Sequence, residues 1–385
     1  MRSLLTLLSL AGLFSPAVPT DDESNPINKH LGAAWKEESL EPAPIAGDEE
    51  FLRRACLDLV GQVPDSREIR EFTLSSREDK RALKMDELLS SWWFARTLSE
   101  RMTAYLVGYP RAFDTAIDYK GFRNWLQERL KNDKTDDYAE IALELLTVRI
   151  GRGASYYRQF GEYGQGGSVL KIEQLAGRTT EAFLGYRIRC AQCHDHPFDK
   201  WTQDDFFGVA AFFSKTTLGD AAMGGNSDIT DHEAPHAYTF EKYKGRLAPR
   251  YIDGTQPASG NWRAELARLI VADRQFARSF VNRVWAWFMG AGIVDPVDEF
   301  TDRNPPVLPG LLEALTDDFI EHRHDIRHLV RTIVLSKAYQ RTSRKAEKDD
   351  PRVLKQFGRA RIRPMTPEQL FNSISHATGL VPTVL

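Results

Sequence analysis

Residues 276–290 read FARSFVNRVWAWFMG. Phe276, Phe280, Val284 and Phe288 recur at four-residue steps, so one face of the segment is apolar. This predicts a helix buried along one side. The turn GAGIVDP, residues 290–296, closes it. The same three- and four-residue recurrence runs through most of the chain, which predicts a mainly α fold.

On either side the pattern continues. Asn261 is placed to cap the preceding helix, residues 262–273. Residues 309–323 and 325–340 form a predicted helical hairpin, with Asp325 capping its second member. One more helix begins in residues 366–379. Further back, helices are predicted near 49–60 with a stop at Gly61, from Ser66 through Phe72 with Ser66 as cap, and from Ser76 to Ser90. Others cover 92–108, 122–132, 136–148, 172–185 and 203–215, while residues 151–167 are glycine- and tyrosine-rich and read as irregular. Between 216 and 260 the periodicity is lost, and a long connecting segment is expected, with short strands near 237–243 and 250–254. The expected organisation is therefore a signal peptide over 1–17, a loosely packed leader over 18–48, a helical block over 49–215, the connection over 216–260 and a second helical block over 261–385.

The chain has 385 residues, room for about two domains. Hydrophobic residues make up 42%, as in a packed globular protein. The net charge of -3 gives no electrostatic reason to expect a nucleic-acid partner. Arg2 precedes an apolar run from Leu4 to Phe14, and Ser15 and Ala17 are the small residues of a cut after Ala17. This layout predicts export to the periplasm or cell envelope. No later stretch offers ~20 uninterrupted apolar residues, so no transmembrane segment is expected in the mature chain.

Only three cysteines occur, and two lie in RCAQCHDHPFDKW, residues 189–201. Cys56 shares a helical face with Phe51, Leu52, Ala55, Leu59 and Val60 and reads as a small buried hydrophobe. Cys190, Cys193 and His194 spell C-x-x-C-H, the attachment pattern of a c-type haem. Two thiols spaced by two residues reach two porphyrin vinyl groups, and the next residue offers its imidazole to the iron. On this reading the cofactor is haem c, and the aromatics Phe198, Trp201, Phe206, Phe207, Phe212 and Phe213 wall the ring. Met223, His232 and His236 are sixth-ligand candidates. Asp195 and Asp199 either fix a histidine tautomer or cap the helix that starts near Gln203. Three alternatives stand beside haem: a local Cys190–Cys193 disulfide, a cluster of free thiols, and a zinc or copper site drawing on His194, His196 and Asp199 with the cysteines.

Two other clusters carry less. Asn282, Arg283, Trp285, Asp295, Asp298 and Glu299 suit helix capping and bridging better than acid–base chemistry. His322, His324 and His328 crowd together, but a helix start at Asp325 separates the last from the others and argues against one-face metal binding. The G-x-S-x-G elbow, the phosphate-cradling glycine loop and the dinucleotide fingerprint are all missing.

Three stretches together resemble a large group of exported planctomycete proteins: residues 51–72, residues 190–213, and residues 280–300 with the NPP of 304–306. That group pairs a cytochrome-associated PSCyt-type domain with a PSD-type domain holding the N-R-V-W stretch, both of unknown function. The resemblance implies a helical two-part protein of the envelope. It also implies that a separate cytochrome c domain of longer relatives is lacking here, and that the second block is cut short at Leu385. Its haem assignment rests on the same Cys190, Cys193 and His194. The expected function is electron transfer to a redox partner protein whose identity the sequence leaves open. The alternatives are a metal-dependent hydrolase linked to polysaccharide breakdown and a non-catalytic binding or scaffold module.

Overall fold

The computed structural model describes residues 25–110, 117–131, 137–164, 167–197, 199–219, 229–235, 248–346 and 350–379. The expected signal peptide, Phe198, Met223, His236, the strand expected over 237–243 and the chain end at Leu385 lie outside them.

The described chain is mainly helical. The first part holds α1 (Pro26–Glu37), α2 (Asp48–Val60), α3 (Ser66–Leu74), α4 (Lys80–Ser90), α5 (Trp92–Leu106), α6 (Tyr119–Lys131), α7 (Tyr138–Thr147), α8 (Ser155–Arg158), α9 (Ile172–Leu184) and α10 (Gln203–Ala211). The second holds α11 (Trp262–Ala272), α12 (Arg274–Met289), α13 (Pro309–Glu321), α14 (Ile326–Val334), α15 (Pro351–Lys355) and α16 (Pro367–Thr378). Two antiparallel hairpins interrupt them: β1 (Gly161–Gly164) with β2 (Gly167–Leu170), and β3 (Thr216–Leu218) with β4 (Ile229–Asp231).

Local chemistry sets most boundaries. Gly61 ends α2 in the left-handed conformation, at φ 71°. Asn261 and Asp325 accept the backbone N–H groups of Ala264 and His328 at the starts of α11 and α14. Asp65 takes the capping role expected of Ser66, because its carboxylate reaches both the Arg67 and Glu68 N–H groups at 2.8 Å. The helix expected from Ser76 begins at Lys80, since Asp79 is drawn into a pair with Arg77.

Three expectations change. Residues 26–37 of the leader are a helix whose Ile27, Leu31 and Trp35 are buried at i, i+4 and i+8; α1 packs on α13. Residues 151–167, expected to be irregular, hold α8 and the strand β1. Residues 250–254 form a turn, not a strand: the Tyr251 N–H bonds the Thr255 carbonyl at 2.8 Å and the Gly254 N–H bonds the Tyr251 carbonyl at 2.9 Å.

One continuous core runs through both parts. Tyr138 of α7 stacks on Phe280 of α12 with centroids 3.6 Å apart, and on Phe276 at 4.7 Å. Phe183 of α9 stacks on Phe276, and Phe319 of α13 on Phe280. Polar ties follow the same seam. Ser279 Oγ donates to the Phe183 carbonyl at 2.7 Å and Gln275 Nε2 to the Leu184 carbonyl at 2.8 Å. Gly185 must be glycine here. Its φ is +68°, and a Cβ would lie 2.6 Å from the Phe300 ring.

Candidate functional site

The cysteine segment follows directly from the end of α9. After the turn at Gly185, residues Ile188–Gln192 form a 3-10 helix. Three residues per turn place i and i+3 on one side. Ile188 and Ala191 are both fully buried and pin the turn to the protein. Cys190, within the turn, and Cys193, just after it, are offset from that pair and exposed. Both thiols are free, and they are not joined to each other. Cys56 is buried, as its helical face predicts, and burial pushes its thiol up, out of the reactive range.

His194 is exposed. Its Nδ1 lies 2.7 Å from the backbone carbonyl of Asp195. A carbonyl only accepts, so Nδ1 carries the proton and Nε2 presents its lone pair. Asp195 does the rest of its work elsewhere: its carboxylate accepts the Gln203 N–H at 2.9 Å and joins the Thr202–Asp205 capping box at the start of α10. The His196 N–H bonds the Trp201 carbonyl at 2.8 Å and closes the loop between them.

Asp199 accepts the backbone N–H of Lys200. Both line a cavity of about 320 Å³ with Tyr186, Arg278, Phe300 and Asp302. Trp201 is buried against Tyr186, with ring centroids 4.9 Å apart, and its indole N–H has no partner among the described residues. Burial pushes the Tyr186 phenol up to about 12.

These residues fit thioether attachment and proximal ligation. Among the described residues the expected aromatic enclosure is not supplied. Phe206, Phe207, Phe212 and Phe213 are all buried in the core and cannot also face a ring beside the exposed thiols. His232 sits on the β3–β4 hairpin, where its Nε2 meets Thr217 Oγ1 at 2.8 Å.

For a bare metal ion the structure favours another place. Among the described residues, one trio of histidine, cysteine or carboxylate side chains brings its ligand atoms within 4.8 Å: Asp318, His322 and His328. His194, His196 and Asp199 form no such trio. The helix start at Asp325 separates His324, not His322, from His328. His324 packs between Phe276 and Phe319, whereas the His322 and His328 rings stack at 3.6 Å and His328 Nε2 lies 2.9 Å from Asp318 Oδ2. Sequence reading weighed the three histidines and missed Asp318, whose only signal is its place one helical turn before His322.

The Asn282 cluster is structural, as expected. Asn282 is fully buried; its amide N–H groups donate to the Val294 and Val297 carbonyls and its oxygen accepts the Val294 N–H. Arg283 pairs with Asp298 and lies 3.5 Å over the Tyr105 ring.

Two family models match the chain. Residues 26–218 match PSCyt2, a protein of unknown function (DUF1549), and residues 262–384 match PSD1, a protein of unknown function (DUF1553). No curated protein and no solved structure matches it.

Proposed function

For a chain that belongs to the PSCyt2 family and carries a PSD1 domain behind it, we propose a c-type cytochrome-like role: one covalent haem on Cys190, Cys193 and His194, serving electron transfer in the cell envelope. The observation that carries the reading is the 3-10 turn, which buries Ile188 and Ala191, with both thiols of the C-x-x-C-H segment free and exposed.

Cys190 and Cys193 would each add a thiol S–H across one vinyl group, sulfur to one carbon and hydrogen to the other, with no atom lost. His194 would offer Nε2 to the iron, while the Asp195 carbonyl holds Nδ1–H and fixes the ring. When bound, the group supplies a one-electron couple. Arg189 and Lys200 flank the segment as exposed cations and suit the carboxylates of a porphyrin rim. The exposure of Cys190, Cys193 and His194 suits exchange with a partner protein and would set the potential. Export is part of this proposal, supported by the layout of residues 1–17.

The test is expression with export and a haem-attachment system, followed by a visible spectrum and a haem stain on a denaturing gel. A Soret band and a stain that survive denaturation are expected, and Cys190→Ala/Cys193→Ala abolishes both. His194→Ala keeps the stain and shifts the spectrum. Colourless protein holding stoichiometric zinc or copper would overturn the reading in favour of a hydrolytic metal site. Colourless protein with no metal would favour a scaffold.

A further inference from the structure

A cleft of about 610 Å³ opens between the two family domains and shares no lining residue with the cavity beside Asp199. Its walls come from α2 and α5 on one side and from Trp287 and residues 361–369 on the other. That volume falls in the range of sites for small molecules.

Five arginines line it: Arg53, Arg54, Arg101, Arg361 and Arg363. Among the described residues two carboxylates, Glu50 and Asp58, line it with them. The excess of three positive charges is local, because the whole chain carries -3.

The two carboxylates are already committed. Asp58 accepts Arg363 Nη2 at 2.6 Å and the Tyr339 hydroxyl at 2.9 Å, with Arg101 at 3.7 Å. Glu50 accepts Arg54 at 2.7 Å, the Ser343 N–H at 2.7 Å and the Thr342 hydroxyl at 2.6 Å. Among the described residues, Arg53 and Arg361 face no carboxylate within 4.0 Å. Among the same residues, the buried Nε of Arg361 has no acceptor, and its Nη2 makes a long 3.4 Å contact to the Leu354 carbonyl. Arg361 is half-buried, and a planar oxoanion would satisfy its Nε–H by a bidentate contact. Apolar groups stand beside these charges: Ile362 is 85% exposed and Tyr109 66%, and Trp287 is half-buried. Flat aromatic walls next to an anion-binding fork suit a ligand with an acidic head and an apolar ring.

We propose that this cleft binds a small anionic molecule, a carboxylate, phosphate or sulfate borne on an aromatic or similarly flat apolar body, with Arg361 and Arg53 holding the oxoanion and Trp287 and Tyr109 holding the ring. The site joins the PSCyt2 and PSD1 domains, so its ligand bridges them. It does not depend on haem.

The experiment titrates the full chain with phenyl phosphate, benzoate, inorganic phosphate and neutral benzyl alcohol by calorimetry, at low and at high salt. Phenyl phosphate or benzoate should bind saturably, at least tenfold tighter than benzyl alcohol, and weaken with salt. Arg361→Gln and the exposed Arg53→Gln should each weaken the tighter anion by about tenfold, the fold-change of one charged hydrogen bond, with unchanged melting for Arg53→Gln. Anions binding no tighter than benzyl alcohol would overturn the proposal, as would full affinity in Arg53→Gln. Inorganic phosphate binding as tightly as phenyl phosphate would overturn the role of the aromatic wall.

Discussion

Arg263 shows how one side chain fixes a joint. Its side chain is 2% exposed. It holds Asp231 of β4 through Nε at 3.0 Å and Nη2 at 2.5 Å, reaches the Val148 carbonyl after α7 at 2.6 Å, and lies 5.1 Å over the Tyr157 ring. Removing it leaves the Val148 carbonyl without this donor and Asp231 with the Thr216 hydroxyl in place of a paired cation. Arg263→Ala should cost about 3–5 kcal/mol, the usual penalty for breaking a buried ion pair. Arg263→Lys should recover little of it, since lysine lacks the planar fork. Denaturant titration measures both, and a loss under about 1 kcal/mol would show the pair to be ornamental. At this scale the sequence announced what is local. The burial of Cys56 was legible from spacing alone. Arg263 was not, because Asp231 lies across a stretch with no periodicity. Arg53 and Arg361 were equally silent, since their cleft assembles from residues about 300 apart.

The turn from α13 to α14 carries a pH-sensitive group. Arg323 and His324 both adopt left-handed conformations, at φ 57° and 58°, which costs non-glycine residues of order 1–3 kcal/mol each. The turn holds because the His324 imidazole packs on Phe276 and Phe319 and its carbonyl accepts the Tyr138 N–H at 3.0 Å. Burial lowers the His324 pKa below its ordinary 6.5, with Asp137 opposing in part. The folded state therefore favours the neutral ring. Stability from this group is complete above pH 6.5 and is lost as pH falls through the lower folded value. Denaturant midpoints should drop from pH 7 to pH 5, and His324→Asn, which tolerates the left-handed backbone, should flatten that slope. Equal slopes in the two proteins would contradict it. Helix ends such as Gly61, Asn261 and Asp325 were readable because a cap is a local hydrogen bond. The helix over Pro26–Glu37 was passed over as leader because its burial comes from α13, hundreds of residues on. The β1–β2 hairpin hid in glycines that carry no alternation.

For the whole molecule, the sequence suggested two helical blocks and an irregular connection, and the structure merges their interiors. Tyr138 and Phe183 from one side interleave with Phe276 and Phe280 from the other. Periodicity identifies which face of a helix is buried and not what buries it, so the shared core was out of reach. The cysteine turn hangs from that core by Ile188 and Ala191, and its exposure is what makes covalent attachment feasible. The mass of the intact chain, matured through export with a haem-attachment system, tests this most directly. The account predicts a gain of one haem, retained under denaturation and absent from Cys190→Ala/Cys193→Ala. Unmodified mass with both thiols still titratable, or linked to each other, would contradict it.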